Sequence, residues 1–257
     1  MGMHLLVTGI GDAFSDHFHG SSGLVKVAKG WIAIDCPGMV LAMWRKAAER
    51  ARIQLSPGDV GDLVITHLHG DHCGGLETIG FLHRYMIPGD TPKPRLHAIE
   101  EVLDRLWERL APAMDGHGAG LDDYFTVCPL QIGTPVEIAG CQVECRGTRH
   151  SVPTAGLLLS DEAGCLGWSA DTEFDLDHVK WLERADCIVH ECGEGGNHTT
   201  YEQLRSLPES IQSRLRLVHM PDSFQPPDNV LEPLREGEWI EVRARASTAP
   251  VPDGPLD

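Results

Sequence analysis

The sequence predicts a layered α/β protein of one domain, and three observations carry that expectation. Short apolar runs of strand length recur in both halves of the chain, and helical spacings interrupt them, as in sheets whose faces are covered by helices. The 257 residues suit one large domain with a sizeable core. No internal repeat and no linker-like break divides the chain. The domain is expected over 1–245, and the Pro-rich tail 246–257 is expected to be disordered.

Taken in order, Leu5–Thr8, Gly23–Val27 and Trp31–Asp35 read as strands, with a polar Gly/His/Ser loop at Gly11–Ser22. Gly38–Arg52 carries apolar residues at helical spacing, from Met39, Val40 and Met43 to Ala47 and Ala51. Asp62–Ile65 is a strand running into a histidine cluster. Leu76–Tyr85 and Glu100–Leu110 read as helices, separated by a Pro/Gly loop and a strand at Arg95–Ile99. Val136–Ile138, Gln142–Cys145, Gly156–Leu159 and Cys165–Ser169 are further strands joined by Gly-containing turns. Leu176–Arg184 and Thr200–Leu207 read as helices, and Cys187–His190, Leu215–Val218 and Trp239–Val242 as strands. The segment Met86–Val127 is read as a lid or a dimer surface, and a homodimer stays open.

With 42% hydrophobic and 23% charged residues, wholesale disorder and a fibrous fold are excluded. No apolar run approaches the roughly 18–20 residues of a membrane span, and neither a membrane role nor a secretory signal is expected. Twenty-one basic against 38 acidic residues leave a net charge of −17. Such a surface repels long polyanions, whose binding relies on Lys and Arg displacing counterions, so extended nucleic acid is disfavoured. Eight cysteines without a zinc-ribbon pair point to a reducing, cytoplasmic compartment. Cys36, Cys128, Cys141, Cys145, Cys165 and Cys187 lie in or beside apolar runs and read as small core residues.

The 14 histidines are the distinctive feature, and their densest cluster is Thr66-His67-Leu68-His69-Gly70-Asp71-His72-Cys73-Gly74-Gly75. In an extended segment residues i and i+2 point the same way, so His67 and His69 can reach one ion together. Gly70 lets the chain turn, and Asp71 and His72 project from the entry of the next helix. Neutral imidazoles with a carboxylate suit zinc or a similar borderline ion. A solvated His-rich loop is the alternative, but it is a poor account of three His and one Asp wedged between a buried strand and a Gly-Gly turn.

This His-x-His-x-Asp-His pattern after a strand resembles the signature of the metallo-β-lactamase superfamily, and the resemblance extends over most of the chain. It implies a four-layer αββα sandwich with a metal site at one edge of the two sheets. Thr148-Arg149-His150-Ser151-Val152-Pro153 resembles the segment that supplies a third His to the first metal. Trp168-Ser169-Ala170-Asp171-Thr172 resembles the strand end whose Asp bridges both metals, and Leu217-Val218-His219-Met220 the one that completes the second. The resemblance implies two divalent ions, zinc first and manganese as the other choice. His67, His69 and His150 would hold one, Asp71, His72 and His219 the other, and Asp171 would serve both. A hydroxide bridging such a pair is the implied nucleophile.

Two further motifs, Val189-His190-Glu191-Cys192 and Gly196-Asn197-His198-Thr199-Thr200, resemble the paired motifs of the superfamily's phosphodiesterase branch, the ribonuclease Z-like and cyclic nucleotide phosphodiesterase enzymes. There the pattern runs His-Glu-Ala-Thr and then His-Ser-Thr, and the second His, oriented by the Glu, protonates the departing oxygen. The resemblance makes Asp71, Glu191 and His198 the catalytic residues. Cys192 and Gly193 depart from the first motif. A helix N-terminal role with Thr199 or Thr200 is the other reading of His198, and His190 reads as structural. Asp35 resembles a superfamily position that braces the metal loop. His17, His19 and Ser21 read as a solvated loop that would at most border the site.

The expected activity is hydrolysis of a small phosphodiester such as a cyclic nucleotide. A tRNA 3′-processing endonuclease is the alternative within the branch, but no basic, Gly-rich arm is visible. Carboxylic ester, thioester, lactone or lactam hydrolysis would use the same metals without Glu191 and His198. Redox members tend to carry Glu where this chain has His69, and non-enzymatic members usually lose ligands that are all present here.

Overall fold

Two seven-stranded sheets face each other, and their inner faces form the core. The computed structural model describes residues 2–89 and 91–245, so the tail expected to be disordered lies outside the described residues. The first sheet is built from β1 (His4–Gly9), β2 (Ser22–Val27), β3 (Gly30–Ile34), β4 (Val60–Val64), β5 (Arg95–Ile99) and β6 (Thr126–Leu130). These lie side by side in chain order, with the last strand among the described residues, β14 (Trp239–Glu241), outside β1. The second sheet runs β7 (Val136–Ile138), β8 (Cys141–Gly147), β9 (Ala155–Ser160), β10 (Cys165–Trp168), β11 (Cys187–Glu191), β12 (Leu215–Val218) and β13 (Glu232–Pro233).

Each sheet is antiparallel in one half and parallel in the other. β1 to β3 pair as antiparallel hairpins, whereas β3–β4, β4–β5 and β5–β6 are parallel. In the second sheet β7 to β10 are antiparallel, and β10–β11 and β11–β12 are parallel. Parallel strands need crossover helices and carry their loops at one end, so the carboxyl ends of β3, β4, β10, β11 and β12 form a natural crevice. The helices α1 (Val40–Ala51), α2 (Gly70–Cys73), α3 (Leu76–Tyr85) and α4 (Glu100–Met114) belong to the first sheet. The second sheet carries α5 (Leu176–Leu182), α6 (Tyr201–Arg205) and α7 (Glu209–Gln212). Central strands are covered on both faces, so β1 and β3 read as continuous apolar runs and Leu5, Leu6, Ile32 and Ile34 are fully buried.

This is the four-layer αββα sandwich expected from the sequence. The differences are local. α4 passes Leu110 and runs through Pro112 to Met114, because Pro112 falls in its last turns and Met114 is buried. β6 is a strand despite Pro129, which is tolerated on the outermost strand of its sheet. The segment read as a lid or dimer surface contributes β5, the start of β6 and a helix with Val102, Leu106 and Leu110 in the core. Among the described residues no helix is long and apolar enough to cross a membrane. Cys36, Cys141 and Cys145 are buried, and Cys128, Cys165 and Cys187 only partly so; all eight cysteines are free thiols.

Candidate metal centre

Every residue singled out for metal binding lies at the carboxyl end of a strand or just beyond it, and all of them converge on the cleft between the two sheets. His67 and His69 follow β4, and His69 caps the one-turn α2 that carries Asp71 and His72. His150 follows β8, Asp171 follows β10 and His219 follows β12. Two of these strand ends turn through left-handed backbone, with φ 53° at Ala170 and 57° at His219. Such conformations cost an L-residue about 1 kcal/mol or more, and here they aim Asp171 and His219 inwards.

Two groups of donors form. In one, the ring nitrogens converge: His67 Nε2 lies 3.1 Å from His69 Nδ1, and His150 Nε2 lies 3.2 Å from the same atom. Asp171 Oδ2 closes this group, 3.6 Å from His67 Nε2 and 3.8 Å from His150 Nε2. In the other, His72 Nε2 lies 3.2 Å from Asp71 Oδ2, and His219 Nε2 lies 3.4 Å from it. Asp171 reaches this group as well, 3.3 Å from both His72 Nε2 and His219 Nε2. One carboxylate thus faces both groups.

The residues fit a pair of divalent cations. His72 Nε2 and His219 Nδ1 are buried without a hydrogen-bond partner in the protein. For His72 Nε2, which faces two carboxylates, a cation would remove the cost of an orphaned polar atom, which is about 1–3 kcal/mol. Burial pushes the His67 imidazole down to about 2, so it is neutral and its lone pair is free. Five imidazoles and two carboxylates form the mixed N/O donor set of borderline ions.

Two of the imidazoles are oriented from behind by one buried carboxylate. His72 Nδ1–H donates to Asp35 Oδ2 at 2.8 Å. His67 Nδ1–H donates to Thr66 Oγ1 at 3.0 Å, and that hydroxyl donates on to Asp35. Both rings therefore turn Nε2 towards the cleft, the role such outer carboxylates play in metal sites. Asp35 itself has φ 61° and is fully buried at the end of β3. His150 is turned the same way by the Asn197 carbonyl, which its Nδ1–H meets at 3.3 Å.

Glu191, the last residue of β11, is 1% exposed. It accepts the Thr172 N–H on one oxygen and the His198 Nδ1–H, at 2.9 Å, on the other. This hydrogen bond holds His198 above the usual histidine range. The His198 ring stacks on His219, with centroids 4.9 Å apart, and its side chain keeps 30% of its surface open. Gly193, a departure from the branch motif, has a steric reason: a Cβ there would lie 2.7 Å from His198 Cβ. The helix-capping role falls to Thr200, whose hydroxyl accepts the Gln203 N–H at 3.3 Å while Gln203 Oε1 accepts the Thr200 N–H at 2.9 Å. His198 is therefore not the cap. It does form a third possible donor group with Asp171 and His219. His190 is buried, donates Nδ1–H to the Glu191 carbonyl, and burial lowers it to about 4.

The Gly11–Ser22 loop is more ordered than its polar sequence suggests. Asp222, three residues beyond His219, accepts hydrogen bonds from Ser15 Oγ and the Asp16 and His17 N–H groups. Glu236 accepts His19 N–H at 2.7 Å and pairs with the His19 ring at 2.8 Å. The loop comes down on the cluster at Gly20, where a Cβ would lie 2.3 Å from the Asp71 carbonyl oxygen. It therefore borders the site. The sequence signal for its anchors was absent, because Asp222 and Glu236 are single carboxylates some 200 positions away.

Known proteins extend this picture. The family model described as Anti-Pycsar protein Apyc1 matches residues 3–235. A curated Anti-Pycsar protein Apyc1 from Paenibacillus sp. (strain J14) is 32% identical over 237 residues, covering 88% of this chain and 92% of the relative. A cAMP/cGMP-dependent 3′,5′-cAMP/cGMP phosphodiesterase B from Dictyostelium discoideum is 27% identical over 201 residues, which is 71% of this chain but 18% of that protein. Among solved structures, the metallo-beta-lactamase fold protein YhfI from Bacillus subtilis superposes with a TM-score of 0.77 at 15% identity, covering 94% of this chain and all of that one. The fold is that of the metallo-β-lactamases, and the chain belongs to the Anti-Pycsar protein Apyc1 family.

Proposed function

We propose that the chain is a metal-dependent phosphodiesterase that opens the ring of cyclic nucleotides. His67, His69, His150 and Asp171 would hold one divalent ion, and Asp71, His72, His219 and Asp171 the second. Zinc is favoured by the imidazole-rich donor set, with manganese as the alternative. Bound there, such ions supply positive charge for the phosphoryl oxygens and acidify water at neutral pH.

The observation that carries the reading is the Glu191–His198 pair at the margin of the two donor groups. Hydrolysis adds water across a P–O bond, with oxygen going to phosphorus and a proton going to the departing ribose oxygen. An alkoxide leaves poorly, so a positioned acid is worth about 10²–10⁴-fold. The Glu191 hydrogen bond raises the pKa of His198 and, by taking Nδ1–H, leaves Nε2–H as the proton to donate. The Dictyostelium relative, named for cyclic nucleotides, supports the same substrate class.

Charge supports a small substrate. At −17 the surface lacks the cations that each phosphate of a long polyanion would need, whereas one phosphodiester needs only the local field of the cleft. The free thiols fit a reducing cytoplasm. The test is turnover by metal-loaded protein of 3′,5′- and 2′,3′-cyclic nucleotides beside bis(p-nitrophenyl) phosphate, chromogenic esters and lactams, and a precursor tRNA. Hydrolysis of cyclic nucleotides is expected. Site-specific trimming of the tRNA with cyclic nucleotides untouched, or ester cleavage alone, would contradict the proposal.

A further inference from the structure

β10 and β11 are parallel, so a residue of one strand bonds through its N–H and its carbonyl to two residues of the other, spaced two apart. Ser169, the first residue beyond β10, starts that pattern by donating its N–H to the Val189 carbonyl at 2.9 Å. The next rung of a regular ladder would run from the Glu191 N–H to the Ser169 carbonyl. Here the Glu191 N–H is taken by the Ser169 hydroxyl, at 2.9 Å. That hydroxyl in turn donates to the Ala170 carbonyl at 2.7 Å. The Ser169 carbonyl, released from the ladder, accepts His178 Nε2–H at 3.1 Å. Ser169 is 1% exposed and His178 is fully buried. Gly156 leaves room for both, since a Cβ there would lie 2.8 Å from the Ser169 carbonyl oxygen and 2.6 Å from His178 Cε1.

The exchange of a carbonyl for a hydroxyl occurs where the chain must leave the sheet. Ala170 turns left-handed in the next step, and Asp171 enters the cleft. The Thr148 hydroxyl fixes Asp171 from another strand by donating to its carbonyl at 2.7 Å. Glu191 returns to the same turn with its side chain, which accepts the Thr172 N–H and holds His198. We infer that Ser169 is a positioning residue for the hydrolysis. By filling the rung that its own carbonyl gives up, it sets where Glu191, and through it His198, stands relative to Asp171. Without that hydroxyl the buried Glu191 N–H and Ala170 carbonyl lose their partner, and an unpaired buried group favours any shift that pairs it again. The inference rests on the phosphodiesterase reading above and adds the link between a metal-facing carboxylate and the acid.

The experiment measures bound metal and kinetics for Ser169→Ala, Ser169→Thr, His198→Ala and the Ser169→Ala/His198→Ala pair, on 3′,5′-cyclic AMP and bis(p-nitrophenyl) phosphate. Ser169→Ala should bind as much metal as wild type, because every donor is kept and Thr148 still holds Asp171. Its kcat on cyclic AMP should fall about 10–100-fold, as when an outer partner of a metal site is lost, with KM little changed. The loss on bis(p-nitrophenyl) phosphate, whose leaving group needs no acid, should be much smaller. Ser169→Thr keeps the hydroxyl and should recover part of the activity. Added to His198→Ala, Ser169→Ala should cost nothing further, since effects that pass through one residue do not add. Equal losses on both substrates, a full further loss in the His198→Ala background, or no loss at all would overturn the assignment. Should wild type hydrolyse no phosphodiester, the enzymatic reading fails by itself, and a crystal structure of Ser169→Ala decides the positioning. Loss of the Glu191–His198 hydrogen bond in that variant then supports it, and its retention overturns it.

Discussion

On the first sheet, His67, His69, Asp71 and His72 leave a single strand within one short stretch of chain, and none of the four needs left-handed backbone. On the second sheet, His150, Asp171 and His219 leave three different strands, and left-handed residues at Ala170 and His219 turn the last two inwards. One half is a local motif that a loop and a one-turn helix can build. The other exists only when two sheets are packed face to face. The difference lies in where the cost falls. The first half keeps its ligands unstrained and places the left-handed residue behind them, at Asp35, which orients His67 and His72. The second half carries the strain at or next to its ligands, where the surrounding core must hold it.

Breaking the meeting point of the halves should have the largest effect. Asp171 faces both donor groups, so Asp171→Ala should lower kcat/KM on the order of 10³-fold or more and reduce the bound metal at both sites. Elemental analysis after loading checks this. Retention of two ions would show that the halves do not share Asp171.

His198 separates chemistry from ligation. His198→Ala should keep its metal and lose about 10²–10⁴-fold on cyclic nucleotides, with a smaller loss on bis(p-nitrophenyl) phosphate, whose leaving group needs no acid. If metal is lost as well, His198 belongs to the donor set with Asp171 and His219.

The pH dependence follows from Glu191. An acid must be protonated to act, and the Glu191 hydrogen bond holds His198 above its usual range, so activity falls as pH rises through that raised value. Glu191→Gln removes the supporting charge. The alkaline limb of the pH–rate profile should then move to lower pH. A limb that stays in place would remove His198 from it.

The smallest effect sharpens the account of strain. Ala170→Gly removes a methyl but suits φ 53°, so the two contributions offset and stability should change by less than about 1 kcal/mol. Ala170→Val, β-branched at a left-handed position, should cost more and weaken metal binding. Denaturant melts with metal titration read both.

The same contrast explains what the sequence discloses. His67 to His72 is legible because its spacing alone brings the side chains together. His150, Asp171 and His219 each look like an ordinary polar residue after a strand, and only their order along the chain, through the family resemblance, marks them. Most strands and helices follow from apolar periodicity. β6 was hidden by Pro129 on an edge strand, and α7 and the two-residue β13 are too short to carry a period. The Asp222 and Glu236 anchors of the Gly11–Ser22 loop are long-range pairings of single residues, which no local pattern encodes.

The most direct measurement is the metal stoichiometry of the wild-type protein, by elemental analysis after saturation with zinc and separately with manganese. If a local motif from one sheet and three strand ends from the other build two sites around Asp171, two ions bind per chain. One ion or none at saturation would contradict that account.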